Sequence, residues 1–201
     1  MVVKVHSLRE YFRETLHGAL EHQRIAVGGE TEQYVVNLLT LFARSEALFE
    51  QTPDGARVRP LVAMLTDALA APTAEARCAG LQRLGDVSLF MAGFFAQGFA
   101  RKLIDIDYHI AMGGRAYGTL SDVVRRSGRP ALGPVFGELA EKFQRLVDAL
   151  NEVSEAGRGH SDGDILRLYE IWLKTGSRRA EQRLADLGVS PSTAARTDFR
   201  H

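Results

Sequence analysis

Two stretches of this sequence place carboxylates and imidazoles at spacings suited to holding a metal. Glu14-Thr15-Leu16-His17 has the E-x-x-H pattern of di-iron helix bundles, in which the i, i+3 spacing projects both ligands from one side of a helix. Asp105 and His109 make a second carboxylate–imidazole couple at i, i+4. Glu14, His17, Asp105 and His109 are therefore the candidate metal ligands. A di-iron bundle needs a second E-x-x-H, which the chain lacks. Glu10, Glu14, His17 and Glu21 also fall opposite the apolar stripe of their segment, beside Arg13 and Arg24, as a solvated charged face would. No metal and no cofactor is expected.

Asp105, Asp107 and His109 carry more weight, because they interrupt the most apolar part of the chain. A carboxylate one helical turn before a histidine can fix the imidazole's tautomer and tune its pKa. The same residues, paired with Arg101, Lys102 or Arg115, would equally serve as a buried polar register between helices. Just beyond them, the run Ala111 to Gly118, AMGGRAYG, can bring backbone N–H groups, Arg115 and Tyr117 toward an anion. The run is neither a P-loop nor a dinucleotide fingerprint, and the chain has no G-x-S-x-G elbow. Asp105, Asp107, His109, Arg115 and Tyr117 are thus candidates for a ligand site or a polar cluster. Without a complete catalytic constellation, the reading leans away from an enzyme.

The elements that must position these residues read as helices. Ser7-Leu8-Arg9-Glu10 is a capping box, and Leu8, Tyr11, Phe12, Leu16, Ala19 and Leu20 follow the i, i+3, i+4 rhythm up to a stop at Gly28-Gly29. A second helix is expected from about Thr31 to Gln51, broken by TPDGARVRP, and a short one from Leu61 to Ala70. Thr73 caps the next, which leads into the uncharged run Val87 to Ala100, VSLFMAGFFAQGFA. Fourteen helical residues span about 21 Å, short of the ~30 Å core of a bilayer, so this run reads as a central buried helix. The alternation in IDIDYHI permits a strand, but Leu103, Ile106 and Ile110 also fit a helix, and the neighbours are helical. A break at Ser127 to Pro134 precedes a helix from about Val135 to Ser154.

The expected architecture is all-α, with about seven or eight helices around the central apolar one. Residues 1–156 form the main helical domain; residues 157–201, opened by the glycine-rich AGRGHSDG, form a C-terminal helical hairpin and flexible tail packed on it. The small residues Gly85, Ala92, Gly93, Ala96, Gly98, Ala100, Gly113, Gly114 and Gly118 imply close helix crossings. Phe90, Phe94, Phe95 and Phe99 point to more than one side of their helix, and with Trp172 they are the candidates for meeting a partner.

Basic and acidic residues balance at 25 each among 201, which removes the usual electrostatic argument for a nucleic-acid or anionic-membrane surface. Cys78 stands alone and cannot form an internal disulfide, and the first residues lack a signal peptide's apolar region, so a cytoplasmic setting is expected. Leu184 to Thr193, LADLGVSPST, resembles the turn of a helix-turn-helix DNA reader. Ala185 stands three residues before the glycine rather than four, and a helix end followed by a tail explains the same residues. Nucleic acid is not the expected partner. The stretches VVNLLT, LGDVSLFMAGFF and DYHIAMGGRAYG are similar to an uncharacterised bacterial hypothetical-protein family with no known activity. That resemblance covers about the first 125 residues and carries over no catalytic residue. The expectation is a protein-interaction or self-associating module, a homodimer or the docking site of a partner protein. The alternatives are a small-ligand or metal-dependent enzyme using Asp105, Asp107 and His109, and nucleic-acid binding through the basic tail.

Overall fold

The structure, a computed structural model, describes residues 8–43, 48–52, 55–94, 106–126, 132–159 and Ala185. Among them are seven helices and one small hairpin: α1 (Leu8–His22), α2 (Gly29–Phe42), β1 (Glu50–Thr52), β2 (Gly55–Arg57), α3 (Leu61–Ala70), α4 (Ala74–Phe94), α5 (Ile106–Arg126), α6 (Gly133–Glu141) and α7 (Phe143–Gly159). The all-α class read from periodicity is the observed one, and IDYHI is helical. The antiparallel hairpin, with Gln51 opposite Ala56, was not foreseen. It flanks the Pro-Asp of TPDG, where sequence alone gives only a turn.

Helix α4 is the axis of the bundle. It packs against α2, α3, α5 and α7, and every residue from Leu84 to Phe90 is buried. Its start is the expected one: Thr73 Oγ1 accepts the Ala76 N–H at 3.1 Å, and Glu75 sits in the first turn, where the helix dipole favours a carboxylate. Close crossings surround it. A Cβ on Gly85 would lie 2.5 Å from Tyr117 Cε1, one on Gly93 2.5 Å from Leu150 Cβ, and one on Gly113 2.7 Å from Ser88 Cβ. Gly85 faces Tyr117 while Ser88 faces Gly113, so α4 and α5 run antiparallel.

Phe90 and Phe94, expected to face a partner, belong to the core. They stack on each other with centroids 5.2 Å apart; Phe90 also meets Phe42, and Phe94 meets Phe12 edge-on. The reason is that α4 is enclosed from Leu84 onward, so aromatics pointing in several directions all find protein. Phe95, Phe99 and Trp172 lie outside the described residues.

Four boundaries differ from the expected ones. The helix expected from Thr31 to Gln51 is α2, which ends at Phe42, and Gln51 lies in strand β1, paired with Ala56 in the hairpin. Helix α1 stops at His22, well before Gly28, because Arg24 takes a left-handed conformation (φ 55°). The Ile25 N–H reaches Leu20 O and the Arg24 N–H reaches Glu21 O, which is a complete Schellman stop with an arginine where glycine is usual; Ile25 and Leu20 are both buried. The helix expected over Val135 to Ser154 is two, α6 and α7, with the corner at Lys142. There the Lys142 ammonium donates to Glu138 Oε1 at 2.7 Å, an i, i+4 pair, and to Ala26 O at 2.6 Å, a tie that sequence spacing does not contain. Pro134, expected in a break, sits in the first turn of α6, where proline's missing N–H costs nothing. Finally, α7 continues through Gly157 to Gly159, across the expected domain boundary at 156.

The crossings generate a contrast between adjacent glycines. Gly113→Ala forces a methyl against Phe143 and Ser88 and is expected to destabilise by about 1–3 kcal/mol. Gly114→Ala meets nothing nearer than 3.8 Å and should be neutral or gain up to about 1 kcal/mol of helix propensity. Urea unfolding distinguishes the two, and equal effects would refute the close crossing. By the same assay Arg24→Gly should stabilise by about 1 kcal/mol through relief of the left-handed residue.

Candidate functional site

The most unusual chemistry in the described structure is a carboxyl inside this core. Gly85 lets the Tyr117 ring lie directly on α4, and that brings the phenol to the neighbouring side chain: the Tyr117 O–H donates to Asp86 Oδ1 at 2.6 Å. Tyr34, from α2, donates to the same oxygen at 2.7 Å, and Gln82 Nε2 donates to the Tyr34 hydroxyl at 2.9 Å. Aromatic rings wall the cluster. Tyr117 stacks on Phe136 at 5.9 Å, and Tyr34 meets both Phe136 and Tyr117 edge-on. Asp86 and Tyr117 are buried, while Tyr34 and Gln82 are half-buried, so the group reaches toward solvent through that pair.

Burial pushes the Asp86 carboxyl up to about 6, because losing hydration disfavours the anion more than the two phenols and the nearby Arg83 favour it. Burial and the adjacent carboxylate push both phenols above the ordinary tyrosine value. Tyr34 and Tyr117 are therefore donors at any physiological pH. The cluster can take up or release a proton near neutrality, at one named atom group, and all its donors point inward.

The candidates from sequence are dispersed. Asp105 lies outside the described residues; Asp107 and Arg115 are on exposed positions of α5, while His109 is buried on the same helix. A helix repeat of 3.6 residues puts His109 on a different face from Asp107 and Arg115, which are both exposed. Burial lowers the His109 pKa, which holds the ring neutral at pH 7, and Tyr108 packs edge-on against it. Tyr117 is the one candidate that enters the polar cluster, with Asp86 and Tyr34 as partners that sequence reasoning missed. The available signal was Asp86 itself, an acid standing immediately before the fourteen-residue uncharged run.

Glu14 and His17 do not form a metal site. Glu14 is exposed, and His17 is flanked by Glu32 at 3.1 Å from Nδ1 and Glu21 at 3.4 Å from Nε2. The two ring nitrogens face opposite ways, so one ion cannot take all three groups. They rim a shallow groove of about 350 Å³ over Leu20, Ile25 and Val27. Among the described residues no group of three or more His, Cys, Asp or Glu is arranged to hold a metal.

A second carboxylate secures α2 at its start. Glu138, on α6, accepts the Gly28 N–H at 3.0 Å and the Thr31 hydroxyl at 2.5 Å, and pairs with Lys142. Partial burial alone would raise its pKa, but the bonds from Lys142, Thr31 and Gly28 together bring it below the ordinary glutamate value.

These shifts have opposite consequences for stability. Asp86 binds its proton more tightly folded than unfolded, so its contribution is greatest below 3.8 and is lost as pH rises through about 6. Glu138 contributes above the ordinary glutamate value and is lost in acid; His109 contributes above 6.5 and is lost as pH falls below it. The Asp86 shift corresponds to about 3 kcal/mol across that window. Asp86→Asn removes this component, so the difference in unfolding free energy between wild type and variant should change by that order from pH 4 to pH 7.5. A constant difference would show that Asp86 titrates normally. No protein-family model, curated protein or solved structure matches this chain.

Proposed function

We propose that this chain is a protein-interaction module that self-associates through the outward flank of α3, in the reducing cytoplasmic setting that a lone Cys78 suits. The observation that carries this reading is a short helix that is apolar on two sides. Leu61, Met64 and Ala68 are buried toward α4, with Ala68 seated on Gly80. Val62 and Leu69 remain 59% and 53% exposed on the flank, with the half-buried Leu65 between them. Leaving the exposed half of two such side chains in water forgoes about 1 kcal/mol each.

A second copy suits this flank. Its one hydroxyl, on Thr66, is satisfied within the helix by Val62 O at 2.9 Å. The only charge of the helix, Asp67, is paired with Arg59. Two antiparallel α3 helices related by a two-fold axis therefore set Val62 of each copy near Leu69 of the other without opposing like charges. Ten residues give about 15 Å of helix, so the buried area stays near or below the ~1,200 Å² lower bound of standard interfaces. Association is correspondingly weak and concentration-dependent. No helix among the described residues is long and apolar enough to cross a membrane.

The alternative of a small-ligand or metal-dependent enzyme has less support, since His109 is buried on a different face of α5 from the exposed Asp107 and Arg115. The nucleic-acid reading rests on a tail outside the described residues. Sedimentation velocity over a dilution series tests the proposal. The wild type should approach twice the mass of Leu69→Glu as concentration rises, with identical helical circular dichroism. A wild type still monomeric near 1 mM, or a variant that associates equally well, overturns it.

A further inference from the structure

We propose that Asp86 is a proton-operated latch, which holds Tyr34 of α2 to the α4–α5 pair when ionised and releases it when protonated. Two phenols from two different helices converge on one oxygen, Oδ1. An ionised carboxylate accepts both in charge-assisted bonds, about twice as strong as neutral ones. A protonated carboxyl is a weaker acceptor and carries a proton that itself needs an acceptor. Protonation therefore weakens the hold on the phenols.

The packing decides which phenol leaves. Tyr117 is fully buried, its ring lies against Gly85 with no room for a methyl, and it stacks on Phe136. It cannot move without opening the α4–α5 crossing. Tyr34 is half-buried, and its hydroxyl already has a second partner in Gln82. Tyr34 is thus the movable jaw. Among the described residues, the groups facing the Asp86 carboxyl are Tyr34 from α2, Tyr117 from α5, and Arg83 from its own helix, whose guanidinium rests on the Phe42 ring and bonds Leu48 O.

The second carboxylate makes the release local. Glu138 grips Gly28 and Thr31, one turn before Tyr34, and titrates below the ordinary glutamate range while Asp86 titrates well above that of aspartate. Between the two, Tyr34 is free while the start of α2 stays anchored. Burial of the neutral acid is also less costly than burial of the anion, so the fold as a whole is not weakened by this release.

The test reads the Asp86 carboxyl by carbon-13 NMR titration, with the Tyr34 ring signals followed in the same samples. Loss of a donor to the charged form should raise the Asp86 midpoint by about one unit in Tyr34→Phe, so the variant costs about tenfold more in the unfolding equilibrium at pH 7.5 than at pH 5. In Asp86→Asn the pH-dependent change of the Tyr34 signals should vanish. A merely structural tyrosine would cost the same at both pH values. An unmoved midpoint in Tyr34→Phe, or a Tyr34 transition that persists in Asp86→Asn, overturns the latch.

Discussion

A helical segment buried on every side can be enclosed only if its neighbours approach closely, and in this protein that constraint falls on α4 from Leu84 onward. Its glycines at 85 and 93, with Gly113 of α5 opposite, remove the side chains that would hold the axes apart. Each helical glycine costs about 1 kcal/mol against alanine, and the compensation is dense contact with Tyr117, Leu150 and Phe143. The aromatic ladder from Phe12 through Phe94, Phe90 and Phe42 fills the other side of the same helix.

Close approach also explains why a carboxyl is tolerated in such a core. With the Tyr117 ring flat against Gly85, its hydroxyl arrives at the next residue along, and Asp86 gains a donor within the α4–α5 seam. Tyr34 supplies the second from α2. A buried carboxylate without such donors would be neutral outright, whereas one with two sits near neutrality. The polar cluster and the glycine crossing are one arrangement: a side chain at 85 would disperse both.

Helix α2 is held at its start by groups remote in sequence. Glu138 bonds Gly28 and Thr31 from α6, and Lys142 reaches Ala26 from the α6–α7 corner. Those contacts substitute for the side-chain cap that Gly28 cannot provide. They also account for two misplaced boundaries, since the early end of α1 and the corner at Lys142 both serve the α1–α2 connection. Nothing within five residues of either boundary announces it, apart from the polar Arg24 and Lys142 themselves.

Local and periodic features are legible in the residues alone. The extent of α3, the Thr73 cap, the helical state of IDYHI and the enclosed character of Val87–Phe94 all follow from spacing within a dozen residues, because helix formation is governed by i, i+3 and i+4 neighbours. The tertiary structure alone decided which polar residues meet. Asp86 and Tyr117 are 31 positions apart, and Tyr34 and Asp86 are 52. Conversely, His109 is close in sequence to Asp107 and Arg115 but turns inward on α5 while they stay exposed. Proximity along a helix sets angle around an axis, whereas a site needs convergence across axes, and that depends on how closely the glycines let those axes pass.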